Sequence, residues 1–425
     1  MKIEIEVTSR ETIKPSSPTP NHLHHYQLSF LDQISPPVYN PQALFYPSEV
    51  NKTNIEKSNH LKQSISDVLT SFYPLSGRIK DNIYVDCNDE GVPYLEAQVK
   101  CKLSDVLENP VPIELNKLLP FKLDDVQELP LGVQFNIFQC GGVAIGVCIS
   151  HKLADASSFL TFLKSWAETA RGESDIVRPQ FISATLFPPK NISGFEPSTG
   201  ITNQNIVAKR FVFNASAIET LRAKYTDHVN STSVPPSRVG ALTNFIWNRF
   251  VSAMNIDEAA TDTFYIVLHA VNLRPRMDPP LPDSAFGNLY RIAMTNPFMG
   301  ACTNLASQVR NSISRIDKEY VKSQLQEGNK HLEMIKDTAE SFNRGKMVAL
   351  NFTSWCRFPF HEADFGWGRP VWVGSGCLTF NNLVVFMDTV SGDGIEAWVH
   401  LKEEDMTKLE ANEELIEFLV ASQEC

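Results

Sequence analysis

His151 and Asp155, in the run His151-Lys152-Leu153-Ala154-Asp155, are the residues whose types and spacing best suit proton transfer. An imidazole titrates near neutral pH and can take the proton of a hydroxyl as its oxygen attacks a carbonyl. Asp155, four residues on, returns to the same side of a first helical turn. The pattern is short. With ten histidines in the chain, chance supplies roughly half a match of this kind. A core histidine beside a helix-starting aspartate reads equally well from these five residues.

The flanking elements decide what such a histidine can do. Gly142 to Ser150 is a near-continuous apolar run, expected to be a buried strand. Ala156, Phe159, Leu160, Leu163 and Trp166 repeat at helical spacing. His151 is therefore expected at a strand-to-helix junction, with its backbone held still by a sheet. Val133–Phe138 and Val143–Ile149 read as a hairpin leading into it. Upstream, Met1–Val7 and Tyr26–Asp32 read as short strands. Asn54–Phe72 reads as a helix with Ile55, Leu61, Ile65, Val68, Leu69 and Phe72 on its apolar stripe. Ile83–Asp86 and Val92–Ala97 read as a second hairpin.

From about residue 187 to 206, Pro188, Pro189, Gly194, Pro197 and Gly200 interrupt any period, which marks a linker. The expected division is residues 1–187, a crossover linker over 188–206, and a second domain over 207–425. That domain reads as a strand from Asn205, helices at Ala215–Lys224 and Arg238–Met254, and a strand at Thr263–Val271. A long helical stretch follows over about 303–342. Strands at Met347–Phe352, Val371–Val373, Leu383–Asp388 and Ile395–Val399 precede a C-terminal helix from Glu403.

Composition bounds the rest. The 425 residues suffice for two domains of about 200 residues. A net charge of −11 without a basic block argues against nucleic acid or an anionic membrane surface as partner. No apolar run reaches bilayer length, and the start lacks a signal-peptide core. Eight scattered cysteines, without CxxC or Cys/His zinc spacing, read as reduced and mostly buried thiols of a cytoplasmic protein. No metal site, no permanently bound cofactor and no assembly seam are expected, the last favouring a monomer.

A second constellation lies about 200 residues beyond the first: Thr353-Ser354-Trp355-Cys356-Arg357, then Asp364-Phe365-Gly366-Trp367-Gly368-Arg369-Pro370. Two glycines around a tryptophan describe a tight turn. A kinase reading of Asp364-Phe365-Gly366 fails for want of a phosphate loop and catalytic loop, and no GxSxG elbow supports a serine hydrolase. Together with HxxxD, and with Tyr73-Pro-Leu-Ser-Gly-Arg78, Val271-Asn-Leu-Arg-Pro-Arg276, Gly287-Asn288 and Ser391-Gly-Asp-Gly-Ile-Glu-Ala-Trp398, this turn resembles the BAHD acyltransferases of plants over essentially the whole chain. The nearest clade by these stretches is that of alkaloid- and ester-forming alcohol acyltransferases.

The resemblance implies an α/β fold of mixed sheets with helices, in two similar chloramphenicol-acetyltransferase-like domains with a channel between them. It implies an acyl-CoA-dependent O-acyltransferase, acetyl-CoA being the first expected donor and a small-molecule alcohol the acceptor. An amine acceptor, or a longer or aromatic acyl donor, is the alternative within the family. A catalytically inactive ligand-binding relative is the alternative of another class. Residue by residue, His151 is implied as general base and the Trp355 indole N–H as oxyanion donor. Asp155 is implied as a structural partner of Arg274; removing either would strand a buried charge at about 3–5 kcal/mol. Asp364, Gly366 and Trp367 are implied as architecture. Ser237 and Arg238 open a helix whose N-terminus suits a coenzyme A phosphate, although the serine is an equally good N-cap. A condensation-domain reading would need a second histidine where this chain has Ser150.

Overall fold

The computed structural model describes residues 2–421 except 50, 126, 194, 196–200, 202–204, 230–231, 255–263, 298–304, 327–329 and 345–346. The chain divides into two compact units. One comprises Met1–Ser193, Leu281–Leu289 and Phe358–Thr379; the other comprises Gly194–Pro280, Tyr290–Arg357 and Phe380–Cys425. This division differs from the contiguous ranges expected from composition, because two late segments fold with the first unit. Nine of the nineteen residues of the expected linker, 188–206, lie outside the described residues.

The first unit is built on a six-stranded mixed sheet in the order Ile5–Ile13, Val92–Val99, Leu131–Phe138, Val143–Ser150, Tyr39–Tyr46, Trp372–Gly374. The hairpin of Leu131–Phe138 and Val143–Ser150 is antiparallel, as so short a connection between neighbouring strands requires. Every residue of Val143–Ser150 is buried, which fits a central strand covered on both faces. At Gly146 a Cβ would lie 1.9 Å from the Leu118 carbonyl oxygen, so only glycine lets that backbone approach. The helix Ala156–Ala170 follows, and the helix Asn54–Leu69 packs beside it. Thr53 and Glu56 form a capping box at the start of the latter.

Three readings of this unit, and the reading of the cysteines as a set, need correction. Tyr26–Asp32 is a short strand, His25–Gln27, followed by the helix Phe30–Ile34. Ser29 and Asp32 close a capping box that starts this helix. The hairpin expected between Ile83–Asp86 and Val92–Ala97 is absent. Tyr84–Asp86 pairs with Arg78–Lys80 across Asp81 and Asn82, both left-handed (φ 51° and 56°), while Val92–Val99 joins the large sheet. Ile55, placed on the apolar stripe, is 74% exposed. Finally, Cys87, Cys148 and Cys377 are buried free thiols, but Cys140 is exposed and Cys101 and Cys356 are half-buried.

The second unit carries another six-stranded mixed sheet: Tyr290–Thr295, Phe264–Asn272, Met347–Ser354, Leu383–Asp388, Ile395–Lys402, Ile206–Phe213. Its apolar core joins Trp247, Phe250, Phe352, Phe386 and Val399. The long helix expected over 303–342 is broken into Leu305–Ser314, Lys318–Tyr320, a π-helical turn at Val321–Gln326, and Lys330–Asn343. Asp317 restarts the second piece by accepting the Tyr320 N–H. The C-terminal helix is likewise two, Glu403–Glu410 and Glu413–Ala421. No helix among the described residues is long and apolar enough to cross a membrane.

Candidate active site

His151 stands one residue beyond the buried strand Val143–Ser150, and its N–H donates to the Val38 carbonyl at 2.8 Å. Leu153 and Ala154 then fold back to donate to the Ser150 carbonyl at 3.0 and 3.2 Å. The junction is thus a closed turn in which the imidazole has one backbone position. The ring is half-buried. Its Nδ1 lies 3.0 Å from Asn288 Oδ1.

The assignment of the two Asn288 amide atoms follows from their partners. Its Nδ2 donates to Asp32 Oδ1 at 2.9 Å and to the His151 carbonyl at 2.7 Å. Both are acceptors only, so the nitrogen must face them and the oxygen must face the ring. An amide oxygen cannot donate, so Nδ1 carries the hydrogen. The Nε2 lone pair is then left as the basic site. Burial lowers the imidazole pKa below its usual 6.5, while Asp155 and the Asn288 hydrogen bond oppose that shift. The ring is consequently neutral at pH 7.

Asp32, fully buried, anchors this arrangement. Its Oδ1 also accepts the Asn288 N–H at 2.8 Å, and its Oδ2 accepts the N–H and hydroxyl of Ser29 at 2.9 and 2.6 Å. Burial raises its pKa, and the hydrogen bonds from Ser29 and Asn288 work in the other direction. Asn288 and Asp32 were not singled out as site residues from sequence. The Ser29-x-x-Asp32 capping pattern was the signal available, and it pointed only to a helix start.

Asp155 caps the following helix by accepting the Ser158 N–H at 2.8 Å on Oδ1. Its Oδ2 accepts the Leu289 N–H at 3.0 Å. Ser158 Oγ donates to the Gly287 carbonyl at 2.9 Å. Gly287 itself has φ 134°, and a Cβ there would meet Ser183 at 2.8 Å. The segment Gly287-Asn288-Leu289 is therefore stitched to the His151 turn at each residue.

The DFGWG turn also lies in the first unit. Asp364 Oδ1 accepts the N–H groups of Gly366, Trp367 and Gly368 at 2.7, 3.1 and 2.9 Å. Both glycines are left-handed, at φ 94° and 97°. Phe365 packs on Trp166 at 4.7 Å and stacks on Trp367 at 5.8 Å, and the Tyr46 hydroxyl donates to the Ala363 carbonyl at 2.6 Å. One Asp364 oxygen is fully engaged in shaping its own loop.

In the second unit, Trp355 follows the strand Met347–Ser354, is 6% exposed, and donates its backbone N–H to the Phe386 carbonyl at 2.8 Å. Arg274 is buried in a single 3-10 turn, its N–H and Nη1 directed at Asn272 Oδ1 at 3.0 and 3.3 Å. Ser237 caps the helix Arg238–Ala253 by accepting the Gly240 N–H at 3.0 Å. The Arg238 guanidinium pairs with Asp388 Oδ1 at 2.8 Å and donates to the Gly392 and Asp393 carbonyls. Its charge, expected to serve a phosphate, already has a carboxylate partner. No group of three His, Cys, Asp or Glu among the described residues could hold a metal ion.

This geometry now has relatives beside it. The Transferase family matches residues 3–416. The chain is 40% identical to stemmadenine O-acetyltransferase of Catharanthus roseus, with 97% of each chain covered. It is 39% identical to vinorine synthase of Rauvolfia serpentina, covering 96% of this chain and 97% of that one. The crystal structure of vinorine synthase superposes with a TM-score of 0.83 over 98% of both chains, at 36% identity. F. sporotrichioides TRI101, solved with coenzyme A and T-2, shares the fold with a TM-score of 0.73 at 19% identity, covering 92% of this chain and 98% of that one. The chain belongs to the Transferase family, the BAHD acyl-CoA-dependent acyltransferases.

Proposed function

We propose that this protein transfers an acyl group, acetyl foremost, from acyl-CoA to the hydroxyl of a plant specialised metabolite, with His151 as general base. The observation that carries this reading is the hydrogen bond from His151 Nδ1 to an amide oxygen whose orientation is set by Asp32. It sets the tautomer of a neutral ring, with the hydrogen on Nδ1 and the lone pair on Nε2. The acceptor O–H gives its proton to Nε2 as the oxygen adds to the thioester carbonyl. The tetrahedral oxyanion collapses, the C–S bond breaks, and the imidazolium returns its proton to the departing thiolate. A thioester is already activated, so no acyl-enzyme is required.

The remaining assignments rest on the resemblance. The Trp355 indole N–H would meet the oxyanion. Asp155 and Arg274 would act as a structural pair, and Asp364, Gly366 and Trp367 as a rigid turn. Coenzyme A phosphate would sit at the helix N-terminus of Ser237 and Arg238, drawing on backbone N–H groups because the arginine is paired. Acetyl as donor is supported by relatives named acetyltransferases. A cytoplasmic monomer is the accompanying expectation, supported by the six described cysteines being free thiols. The test is release of free thiol from acetyl-CoA across a panel of alcohols and amines, with the ester identified by mass. Alcohol-dependent turnover that vanishes in His151→Ala is expected. Turnover surviving that change, or occurring only with amines, would overturn the assignment.

A further inference from the structure

Asp32 has more hydrogen bonds than a helix start requires. Its Oδ2 completes the capping box with Ser29, a task that a neutral amide performs as well. Its Oδ1 turns instead to the backbone N–H and the side-chain Nδ2 of Asn288, 256 residues away. The carboxyl group therefore receives four donors, two on each oxygen, at distances between 2.6 and 2.9 Å.

These contacts select the anion. A protonated carboxyl would aim an O–H at one of the four donors, and only the Ser29 oxygen could receive it. The Ser29 hydroxyl would then lose the acceptor of its own hydrogen. Asp32 is fully buried and its four donors are neutral, a costly setting for a charge. Burial raises its pKa, and the hydrogen bonds from Ser29 and Asn288 work against that rise.

The charge has a path to the ring. The hydrogen bonds from Asn288 Nδ2 to Asp32 Oδ1 and from His151 Nδ1 to Asn288 Oδ1 measure 2.9 and 3.0 Å. With the C–N and C=O bonds of the amide between them, the carboxylate oxygen lies no more than about 8.5 Å from the ring nitrogen. An amide that donates to an anion is polarised, and its oxygen becomes the stronger acceptor. We infer that Asp32 is a positioning residue for acyl transfer, whose negative charge, passed through the Asn288 amide, stabilises the imidazolium that His151 becomes on taking the acceptor's proton. The inference rests on His151 as the base. No proton moves along the path: Nδ1 keeps its hydrogen, and Nε2 gains and later returns the other.

Other titratable groups face the same elements. Asp155 makes the ring more basic and Lys152 makes it less so. Tyr26 lies beside Asp32 and is kept a neutral phenol by burial. Lys152 Nζ donates to the Gln33 carbonyl at 2.8 Å, and Lys190 Nζ sits over the Phe30 ring at 4.7 Å. All of them stay in place in the variants that follow.

The experiment titrates the His151 ring by carbon NMR in the full chain labelled at histidine Cε1, its signal assigned by its absence in His151→Ala. The same variants are assayed with acetyl-CoA and an alcohol acceptor. Asp32→Asn keeps the size and loses the charge. The acid dissociation constant of the ring should rise about threefold or more, and kcat should fall about tenfold or more, with KM for acetyl-CoA kept within about twofold. A purely structural role would leave the ring's titration where it was. Ser29→Ala should act with the opposite sign. Without the serine hydroxyl Asp32 takes up a proton at higher pH, so the acid limb of kcat/KM moves up, whereas Asp32→Asn moves it down. If Asp32→Asn does not fold, Ser29→Ala decides. An unchanged ring titration in Asp32→Asn, or an acid limb that stays put in Ser29→Ala, would overturn the role of Asp32 and leave the base assignment standing. Turnover that survives His151→Ala would remove the base and this inference together.

Discussion

Asp155 and Asp364 both accept backbone N–H groups in the first unit, yet they organise the chain on different scales. Asp364 spends one oxygen on three N–H groups that all lie within four residues. Asp155 divides its oxygens between Ser158, three residues away, and Leu289, 134 residues away. The first shapes a loop that would keep much the same company without it, through Phe365, Trp166 and Tyr46. The second aligns two segments that nothing local brings together, and Asn288 sits in one of them with His151 in the other. A carboxylate's importance to the site therefore follows from the chain distance it spans as well as from its hydrogen-bond count.

Substitutions can break that contrast at several strengths. His151→Ala removes the base itself, and kcat/KM should fall by about 10²–10⁴ while the urea midpoint is kept. Retained turnover would remove the ring from the chemistry. Asp155→Ala should cost about 3–5 kcal/mol in urea unfolding together with most of kcat, because the cap and the Leu289 contact go at once. Near-parental kcat in a folded Asp155→Ala protein would show that the 287–289 segment holds its place without it.

Asn288→Leu should be milder in stability and specific in pH. Only the neutral ring accepts a proton, and burial already holds its pKa below 6.5, so parental kcat/KM should be flat near pH 7 and fall as pH drops through that lower value. The Asn288 hydrogen bond raises the pKa, so its loss should move the acid limb lower still while kcat falls. An acid limb that stays in place would mean that Asn288 does not hold the ring. The smallest effect is expected at Asp364. Alanine should cost about 1–3 kcal/mol of stability, and asparagine, which keeps an acceptor oxygen, should cost less, with kcat/KM little changed in either. A large kcat loss in Asp364→Asn at parental stability would make the two aspartates alike after all.

The parts of the site legible in the sequence were those with local causes. The 131–150 hairpin has strand periodicity, and the helix after Asp155 announces itself by a cap and an apolar stripe. The elements around Asp32 were not. Tyr26, Leu28 and Phe30 alternate like a strand, and only the Ser29–Asp32 box reveals that the chain turns into a helix. The strand Tyr39–Tyr46 is poorly legible in the sequence, since Pro41 argues against a central strand. Pro41 is tolerated because Trp372–Gly374 pairs only with Ala43–Phe45, leaving the proline one paired neighbour. Asn288 was visible only as part of a family motif. Its partners are 137 and 256 residues away, a separation that no local period encodes.

The return of Leu281–Leu289 and Phe358–Thr379 to the first unit bears on how such enzymes diversify. A gene joined at the 194 boundary from two divergent parents would inherit His151 and Asp32 from one and Asn288 from the other. The Asp364 loop would likewise come from a different ancestor than the Trp166 and Tyr46 it rests on. Recombination at that apparent seam thus mixes one ancestral centre with another. New acceptor preferences are more safely gained by substituting residues one at a time than by exchanging halves.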